Sequence, residues 1–282
     1  STMTEFEKLG YFEILLALSN KWLDDDYILS ILNWEDRSYC NLEVMIWLSK
    51  GLIAKNSKYS DDILQNFIAM LSDHVIGTKV SKLFEVFVID FTSFKKYKGI
   101  AWNNNIKLLY KQRTFSGIFL KLVSLYQTSN NMDIKCNYLT ALSLILKHTP
   151  SELVSPFMKD LLPMLLQALD MPNSEVRLSA LETLKDSTEQ HHQLVAEHIQ
   201  SLVPSLLSLV KVDEYNTVMI RLSALQLLQL LTEHLPINYC LNYKQDIING
   251  LLEPLSDKKR VVRKQCIDTR QAYFELGQVP FE

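Results

Sequence analysis

Six of the fourteen residues from 257 to 270 are lysine or arginine, and only two are acidic. A surface of this composition can bind the phosphates of a nucleic acid or the carboxylates of an acidic protein. It can also be the polar outer face that the last unit of a repeat protein needs. Both interpretations, a docking surface and a solvated cap, stay open for the five cations that fit no repeated pattern. These candidate partner-binding residues are Lys258, Lys259, Arg260, Lys264 and Arg270.

The sixth cation, Arg263, belongs to a pattern that occurs three times. The segments VRLSALETL, IRLSALQLL and VRKQCIDTR, which start at residues 176, 220 and 262, each have arginine at their second position. An acid precedes each arginine by six to eight residues, and a planar guanidinium can bind a carboxylate through two parallel hydrogen bonds. We therefore predict a structural ladder in which a carboxylate at each turn pairs with the arginine of the next repeat. Its candidate members are Asp170, Arg177, Asp213, Arg221, Asp257 and Arg263.

No residue pattern in the sequence indicates catalysis or metal binding. The sequence has no phosphate-binding loop, dinucleotide-binding glycine motif, serine-nucleophile elbow or zinc-protease motif. Cys40, Cys136, Cys240 and Cys266 are far apart in sequence, so they form no C-x-x-C pair and no grouped set that could hold an iron–sulfur cluster. The sequence therefore predicts a protein that is not an enzyme and that holds no metal or cofactor.

The elements that must position these cations follow from the spacing of the repeat. The repeat cations fall at positions 37, 79, 135, 177, 221 and 263, with intervals of 42, 56, 42, 44 and 42 residues. A period near 42 is typical of HEAT and armadillo repeats, and we interpret 93–106, within the long interval, as an insertion. Apolar residues at helical spacing precede the cation in 160–170, 201–210 and 245–257, and each of these segments contains a proline. Each repeat is predicted to be a helix A, a tight turn, and a helix B that carries the cation in its first turn.

A helical hairpin cannot bury its apolar stripe alone, so its neighbours must cover it. We predict an all-α fold, an α-solenoid (superhelix) of about six HEAT repeats with two antiparallel helices each. Residues 1–282 are predicted to form a single solenoid domain that ends in a tail at 277–282 and is the C-terminal part of a longer chain. Pairs of leucines three residues apart are expected in the core of helix B: Leu139 and Leu142, Leu181 and Leu184, and Leu225 and Leu228.

The composition restricts the class of protein further. Hydrophobic residues make up 48% and charged residues 22% of the chain, and no apolar run approaches the ~18 residues of a membrane span. Lone cysteines favour reduced thiols, and hence the cytoplasm or nucleus. Residues 91–132 contain seven cations and no acid, which keeps a nucleic-acid-binding HEAT domain as an alternative. The eight acids in 4–36 weigh against direct contact with nucleic acid.

The last repeats carry an ordered set of short motifs. The segments NTVMIRLSALQLLQLLTEHLP and YKQDIINGLLEPLSDKKRVVRKQCIDTRQAYFELG contain R-x-x-A-L, L-P, Y-K-x-x-I-I, D-K-K-R-x-V-R-K, an aromatic pair and L-G, in that order. In this order the motifs resemble the C-terminal repeats of the MMS-nineteen (Met-eighteen) family. The resemblance covers about 202–277 and depends on the repeat period upstream of that range.

The resemblance implies a non-enzymatic adaptor of the cytosolic iron–sulfur protein assembly targeting complex. It implies that this C-terminal region binds the small DUF-fifty-nine-like subunit of the complex, which joins it to a WD-repeat propeller. Together these proteins would recruit client apoproteins, among them DNA-replication and repair enzymes, in the cytoplasm and nucleus. A HEAT scaffold of the nuclear-transport or phosphatase type would share the fold and is a further alternative.

Overall fold

The computed structural model describes residues 4–32, 35–89 and 107–277, and the regular secondary structure in these ranges is helical throughout. The predicted insertion at 93–106 and all but the first residue of the predicted tail lie outside these ranges. None of the helices within them is long and apolar enough to cross a membrane. The described α-helices of more than four residues are α1 (Glu5–Ala17), α2 (Asp25–Ile31), α3 (Tyr39–Ala54), α4 (Ser60–Met70), α5 (Gly77–Leu83), α6 (Lys107–Thr128), α7 (Met132–Lys147), α8 (Met158–Leu169), α9 (Ser174–Gln190), α10 (His192–Glu197), α11 (Ile199–Leu209), α12 (Val218–His234), α13 (Ile237–Gly250) and α14 (Arg260–Glu275).

Side-chain caps set where several helices that carry the repeat cation begin. The side-chain oxygens of Asn131, Asn173 and Thr217 accept hydrogen bonds from backbone N–H groups in the first turns of α7, α9 and α12. These N–H groups have no partner within the helix, so the caps favour helix initiation at these points. The repeat cation lies four residues after each cap and also four residues after Lys259, which precedes α14. Its predicted place in the first turn of helix B is confirmed for these four repeats.

The chain divides into two compact units, Ser1–Leu153 and Val154–Glu282. In the first unit, the A helices are α1, α4 and α6, and the B helices are α3, α5 and α7. Each A helix contacts its B partner, and α3 contacts α5, which contacts α7. The first unit is therefore three helical hairpins stacked in two layers, as expected of neighbouring repeats that bury each other's apolar faces.

The centre of the first unit is α3, which is buried along most of its length. Trp47 is 4% exposed and stacks on Phe12 of α1 with ring centroids 5.4 Å apart, so it lies in the core of this unit. Gly51 lies against the π-helical turn Leu18–Trp22 that follows α1. A Cβ atom at this glycine would come within 1.8 Å of the Ser19 hydroxyl and 2.9 Å of the Leu16 carbonyl oxygen. The absence of a side chain at Gly51 thus allows the two segments to approach this closely.

The second unit is also built from three hairpins. Its A helices are α8, α11 and α13, and its B helices are α9, α12 and α14. Within the A layer α8 contacts α11 and α11 contacts α13, and within the B layer α9 contacts α12 and α12 contacts α14. With three stacked helical hairpins in the described part of each unit, the predicted α-solenoid of about six two-helix repeats is confirmed. The predicted core leucines of α7, α9 and α12 are at most 2% exposed.

The last A helix differs from its prediction in both bounds. The sequence pattern placed it at 245–257 with Pro254 inside, but α13 spans Ile237–Gly250 and Pro254 opens a separate 3-10 turn that ends at Ser256. Proline lacks the N–H that a helix interior needs but fits the first turn of a helical segment. Pro163 and Pro204 do lie inside α8 and α11. This extra turn places Asp257 just before α14, where its carboxylate can reach the preceding repeat.

Candidate functional site

The best-formed polar contact between repeats of the second unit joins Arg221 of α12 to Asp257. The Nε atom of Arg221 donates to Oδ2 of Asp257 at 2.8 Å, and its Nη2 donates to Oδ1 at 3.4 Å. Its Nη1 donates to the carbonyl oxygen of Asn216 at 2.5 Å. The two side chains are 8% and 1% exposed. The pair is therefore a buried, bidentate ion pair that also satisfies a carbonyl group of the preceding turn.

Arg177 of α9 occupies the equivalent place one repeat earlier. Its Nε donates to the Met171 carbonyl oxygen at 2.6 Å, and its Nη1 donates to the Asn216 amide oxygen at 2.7 Å. The Asp213 carboxylate is 3.7 Å from Nη1 and is 53% exposed. The Asn216 side chain also donates to the carbonyl oxygens of Ser208 and Lys211, so it ties Arg177 to the next repeat's turn. We call each such pair of an arginine and a carboxylate a rung of the ladder. In the rung of Arg177 and Asp213 the charged groups are farther apart and more exposed to solvent than in the rung of Arg221 and Asp257.

The pairing runs in the opposite direction to the sequence analysis. Arg177 and Arg221 contact the carboxylates of the following repeats, whereas the predicted ladder pairs each carboxylate with the arginine of the following repeat. The physical reason is that the A–B turn of one repeat lies beside the first turn of the preceding B helix. A third pair in the first unit has the same form, with Arg37 and Asp73 at 2.8 Å.

Arg37, Arg177 and Arg221 each pair with the acid 36 residues later in the chain. Asp73 was missed because the first repeat was aligned only by its cation, and its apolar register slips by one residue. A search for arginines followed by an acid at this constant spacing would have found it.

Two predicted ladder members make no carboxylate–guanidinium contact in the described ranges. Asp170 contributes only its carbonyl oxygen, 3.5 Å from Nη2 of Arg177. Arg263 donates from Nη1 to the carbonyl oxygens of Asp257 and Lys258, at 2.7 and 3.2 Å. Arg263 thus binds its own turn as the other two arginines do, but it has no partner carboxylate among the described residues.

The candidate partner-binding cations separate into two groups. Lys258, Lys259, Arg260 and Lys264 are exposed, and their side chains make no hydrogen bond or ion pair with other described residues. We call these four residues the basic turn cluster. Arg270 is half-buried, with its guanidinium 5.4 Å from the Phe274 ring centroid and its Nε without a hydrogen-bond partner in the described part of the chain. Arg270 therefore belongs to a separate, partly apolar surface.

Apolar side chains are exposed both near the basic turn cluster and farther along α14, where Arg270 lies. Val261, Ile267 and Phe274 of α14 are all exposed, as is Leu252 just after α13. Scattered exposed apolar residues are ordinary, but several of them next to unpaired cations resemble the composition of a protein-binding surface.

The acid-free segment 91–132 does not form one basic surface in the described ranges. Lys111 is buried and donates from Nζ to the His148 carbonyl oxygen at 2.9 Å, so its charge is turned into the fold. Arg113 and Lys121 are exposed on α6. Residues 91–106, which include Trp102 and three of the lysines, lie outside the described ranges.

The cysteines differ in their surroundings. Cys40 is exposed, whereas Cys240 and Cys266 are buried and donate to the carbonyl oxygens of Leu231 and Leu251. Burial raises the pKa of both buried thiols to about 11, because a thiolate in an apolar environment loses its hydration. No group of three or more histidine, cysteine or acidic side chains in the described ranges could hold a metal ion.

We expect the two buried thiols to be unreactive in the native protein. At pH 8, iodoacetamide should label Cys40 rapidly, whereas labelling of Cys240 and Cys266 should be at least about a hundredfold slower, as their raised pKa values imply. Peptide mass spectrometry would measure the rates, and labelling in urea is the control. Because the pKa of each buried thiol is higher in the folded chain than in the unfolded chain, the unfolded chain loses its thiol protons at a lower pH. The free energy of unfolding should therefore fall as the pH rises from about 9 to about 11. Equal labelling of Cys40, Cys240 and Cys266 in the native protein would contradict the buried placement.

The family model described as "RNAPII transcription regulator C-terminal", MMS19_C, matches residues 1–232. The DNA repair/transcription protein MMS19 (Met-eighteen) of Saccharomyces cerevisiae is 60% identical over 99% of this chain and 27% of its own length. The "MMS19 nucleotide excision repair protein homolog" of Xenopus tropicalis is 33% identical over 84% of this chain and 22% of its own length. The chain therefore spans about a quarter of the length of these relatives.

The crystal structure of Kap121p bound to RanGTP is similar to 92% of this chain and 27% of the Kap121p chain, with a TM-score of 0.54 and 16% identity. That likeness concerns the helical-repeat fold alone. The family model matches most of the chain, and the yeast protein is similar along nearly all of it, including the last repeats. This chain belongs to the MMS19 family.

Proposed function

We propose that this chain is a protein-binding adaptor and that it catalyses no reaction. Its place would be the cytosolic iron–sulfur protein assembly targeting complex, where it binds the small DUF-fifty-nine-like subunit and, through it, the WD-repeat propeller. The complex would then deliver clusters to client apoproteins, including DNA-replication and repair enzymes, in the cytoplasm and nucleus. Membership of the MMS19 family and the repair and transcription names of its relatives support this proposal.

The observation that carries the proposal is the unneutralised basic turn cluster. Asp257 is the one acid among residues 257–264, and its carboxylate already binds the Arg221 guanidinium and the Lys259 backbone N–H. It is also nearly fully buried. Its charge is therefore directed to the preceding repeat, and the four exposed cations, which make no ion pair with other described residues, can attract an acidic partner. Such surfaces mainly accelerate association and select partners by charge.

Replacing Lys258, Lys259 and Arg260 with glutamate should reduce binding of the purified small subunit by about tenfold or more, since charge reversal turns attraction into repulsion. Binding would be measured by a pull-down and by isothermal titration calorimetry, with circular dichroism to verify the fold. The matched control is Arg113→Glu with Lys121→Glu on α6, which reverses two exposed cations far away in sequence and should leave affinity unchanged. If the triple variant binds as the unaltered chain does, the basic turn cluster is not the docking surface.

The control variant also addresses the nucleic-acid alternative. Fluorescence polarisation at low salt with single- and double-stranded DNA and RNA should give no binding. Binding that falls steeply with salt and is lost in the Arg113→Glu, Lys121→Glu variant would instead support direct contact with phosphates.

A further inference from the structure

We propose that Arg263 is an open rung of the arginine ladder, by which we mean an arginine whose carboxylate partner is supplied by another protein. Together with Ile267 and Phe274, it docks a partner-protein segment that presents a carboxylate beside apolar side chains. This inference rests on the proposed adaptor function and specifies how a partner would engage the last repeat. The basic turn cluster would attract the partner, and the open rung would hold it.

One face of each B helix points to the next repeat. In α9 this face contains Leu181 and Leu184, and in α12 it contains Leu225 and Leu228; all four are fully buried. The next B helix, α14, covers the α12 face, where the hydroxyl groups of Thr269 and Tyr273 donate to the carbonyl oxygens of Leu225 and Leu228. In these two repeats the face is thus apolar, and the next B helix covers it.

The same face of α14 is not covered by any residue within 107–277, the part of this region that the structure describes. Ile267 follows Leu225 by 42 residues, the interval that also separates Arg263 from Arg221, so the two positions are equivalent. Leu225 is 0% exposed, whereas Ile267 is 57% exposed and Phe274, farther along the same face, is 43% exposed. No described residue covers these side chains as α14 covers α12.

Arg263 lies on this face and has no carboxylate partner among the described residues. Arg221 receives the Asp257 carboxylate and Arg177 lies near Asp213, in each case from the element that covers the face. Arg263 makes the equivalent bonds to its own turn but receives no carboxylate from the described residues. By charge complementarity, an element that covers the α14 face should bring an aspartate or glutamate to Arg263.

Arg270 adds a hydrogen-bond donor without a partner in the described residues to this face. Its Nε is buried without an acceptor among the described residues, while its guanidinium lies over the Phe274 ring. In the preceding repeat the equivalent position is Leu228, so the α14 face is more polar than the faces that bind another repeat. It therefore suits a partner with an acidic and apolar surface better than it suits a further copy of the same helical unit.

The test is calorimetric titration of the purified small subunit into the whole chain. Ile267→Asp and Arg263→Gln should each weaken binding by about tenfold or more, because a docked apolar side chain and a paired guanidinium are typical hot spots. The matched control is Met219→Asp, since Met219 is equally exposed but lies on a different face of its helix. Arg263→Glu should also bind weakly, and reversal of one partner carboxylate to lysine should restore its affinity.

The outcomes distinguish this inference from the proposed function. If the unaltered chain binds and the basic turn cluster matters, but Ile267→Asp and Arg263→Gln bind normally, the open rung is wrong and the adaptor function stands. If the unaltered chain fails to bind the small subunit, both are overturned. Self-association of the free chain that Ile267→Asp abolishes would assign the face to a second copy, and a gain in affinity on deleting residues 278–282 would assign it to the tail. Either result would also overturn the inference.

Discussion

Asp257→Ala should lower the free energy of unfolding by about 3–5 kcal/mol, the cost of leaving one member of a buried ion pair without its partner. Arg221 would keep its charge in a site where its side chain is 8% exposed. The substitution would also remove the hydrogen bond that the Lys259 backbone N–H donates at the start of α14. Urea unfolding followed by circular dichroism would measure the change, and hydrogen exchange in α12 and α14 would localise it.

The matched control is Asp213→Ala in the preceding rung. Asp213 is half-exposed and 3.7 Å from its arginine, so its removal should cost less than about 1 kcal/mol, as for surface ion pairs. Asn216 would continue to accept a hydrogen bond from Arg177. Equal effects of the two substitutions would show that burial does not determine the strength of the rungs.

Leu225→Ala should lower the free energy of unfolding by about 2–5 kcal/mol, since it removes a fully buried side chain and leaves a cavity in the core. Ile267→Ala changes the equivalent position of the next repeat, where the side chain is largely exposed. It should alter stability by no more than about 0.5 kcal/mol in the free chain. The pair therefore compares one position of the repeat in its covered and uncovered states.

Chemical unfolding of both variants, with the unaltered chain as reference, would measure this difference. If Ile267→Ala is as destabilising as Leu225→Ala, some part of the chain must cover the α14 face, and the open rung could not bind a partner. The same stability measurement therefore checks the packing of the core and the availability of the proposed docking face.

Local and periodic signals made most of the fold predictable. The arginine in the first turn of α9, α12 and α14, the leucines three residues apart and the interval near 42 residues all follow from helical periodicity and hairpin stacking. Pro254 misled the prediction of α13, because a proline within an apolar stretch does not reveal whether the helix bends or ends there.

The candidate site could be predicted only in part. The excess of cations in 257–270 is visible in the sequence, but Arg270 and the basic turn cluster have different surroundings in the structure. Lys111 belongs to the acid-free segment 91–132, but its ammonium group is buried against the His148 carbonyl oxygen. Composition gives the charge of a segment but does not give the direction in which each side chain points.

Three features follow from the amino-acid sequence alone: the repetition of a two-helix unit, the apolar positions of each unit, and the recurrence of the arginines. The packing of the repeats, which periodicity does not specify, pairs Arg37, Arg177 and Arg221 with the acids of the following repeats and leaves Arg263 without such an acid within the described residues. The reason is physical. Periodicity fixes which face of a helix a residue occupies, whereas the element packed against that face determines whether a charge is paired, buried or exposed.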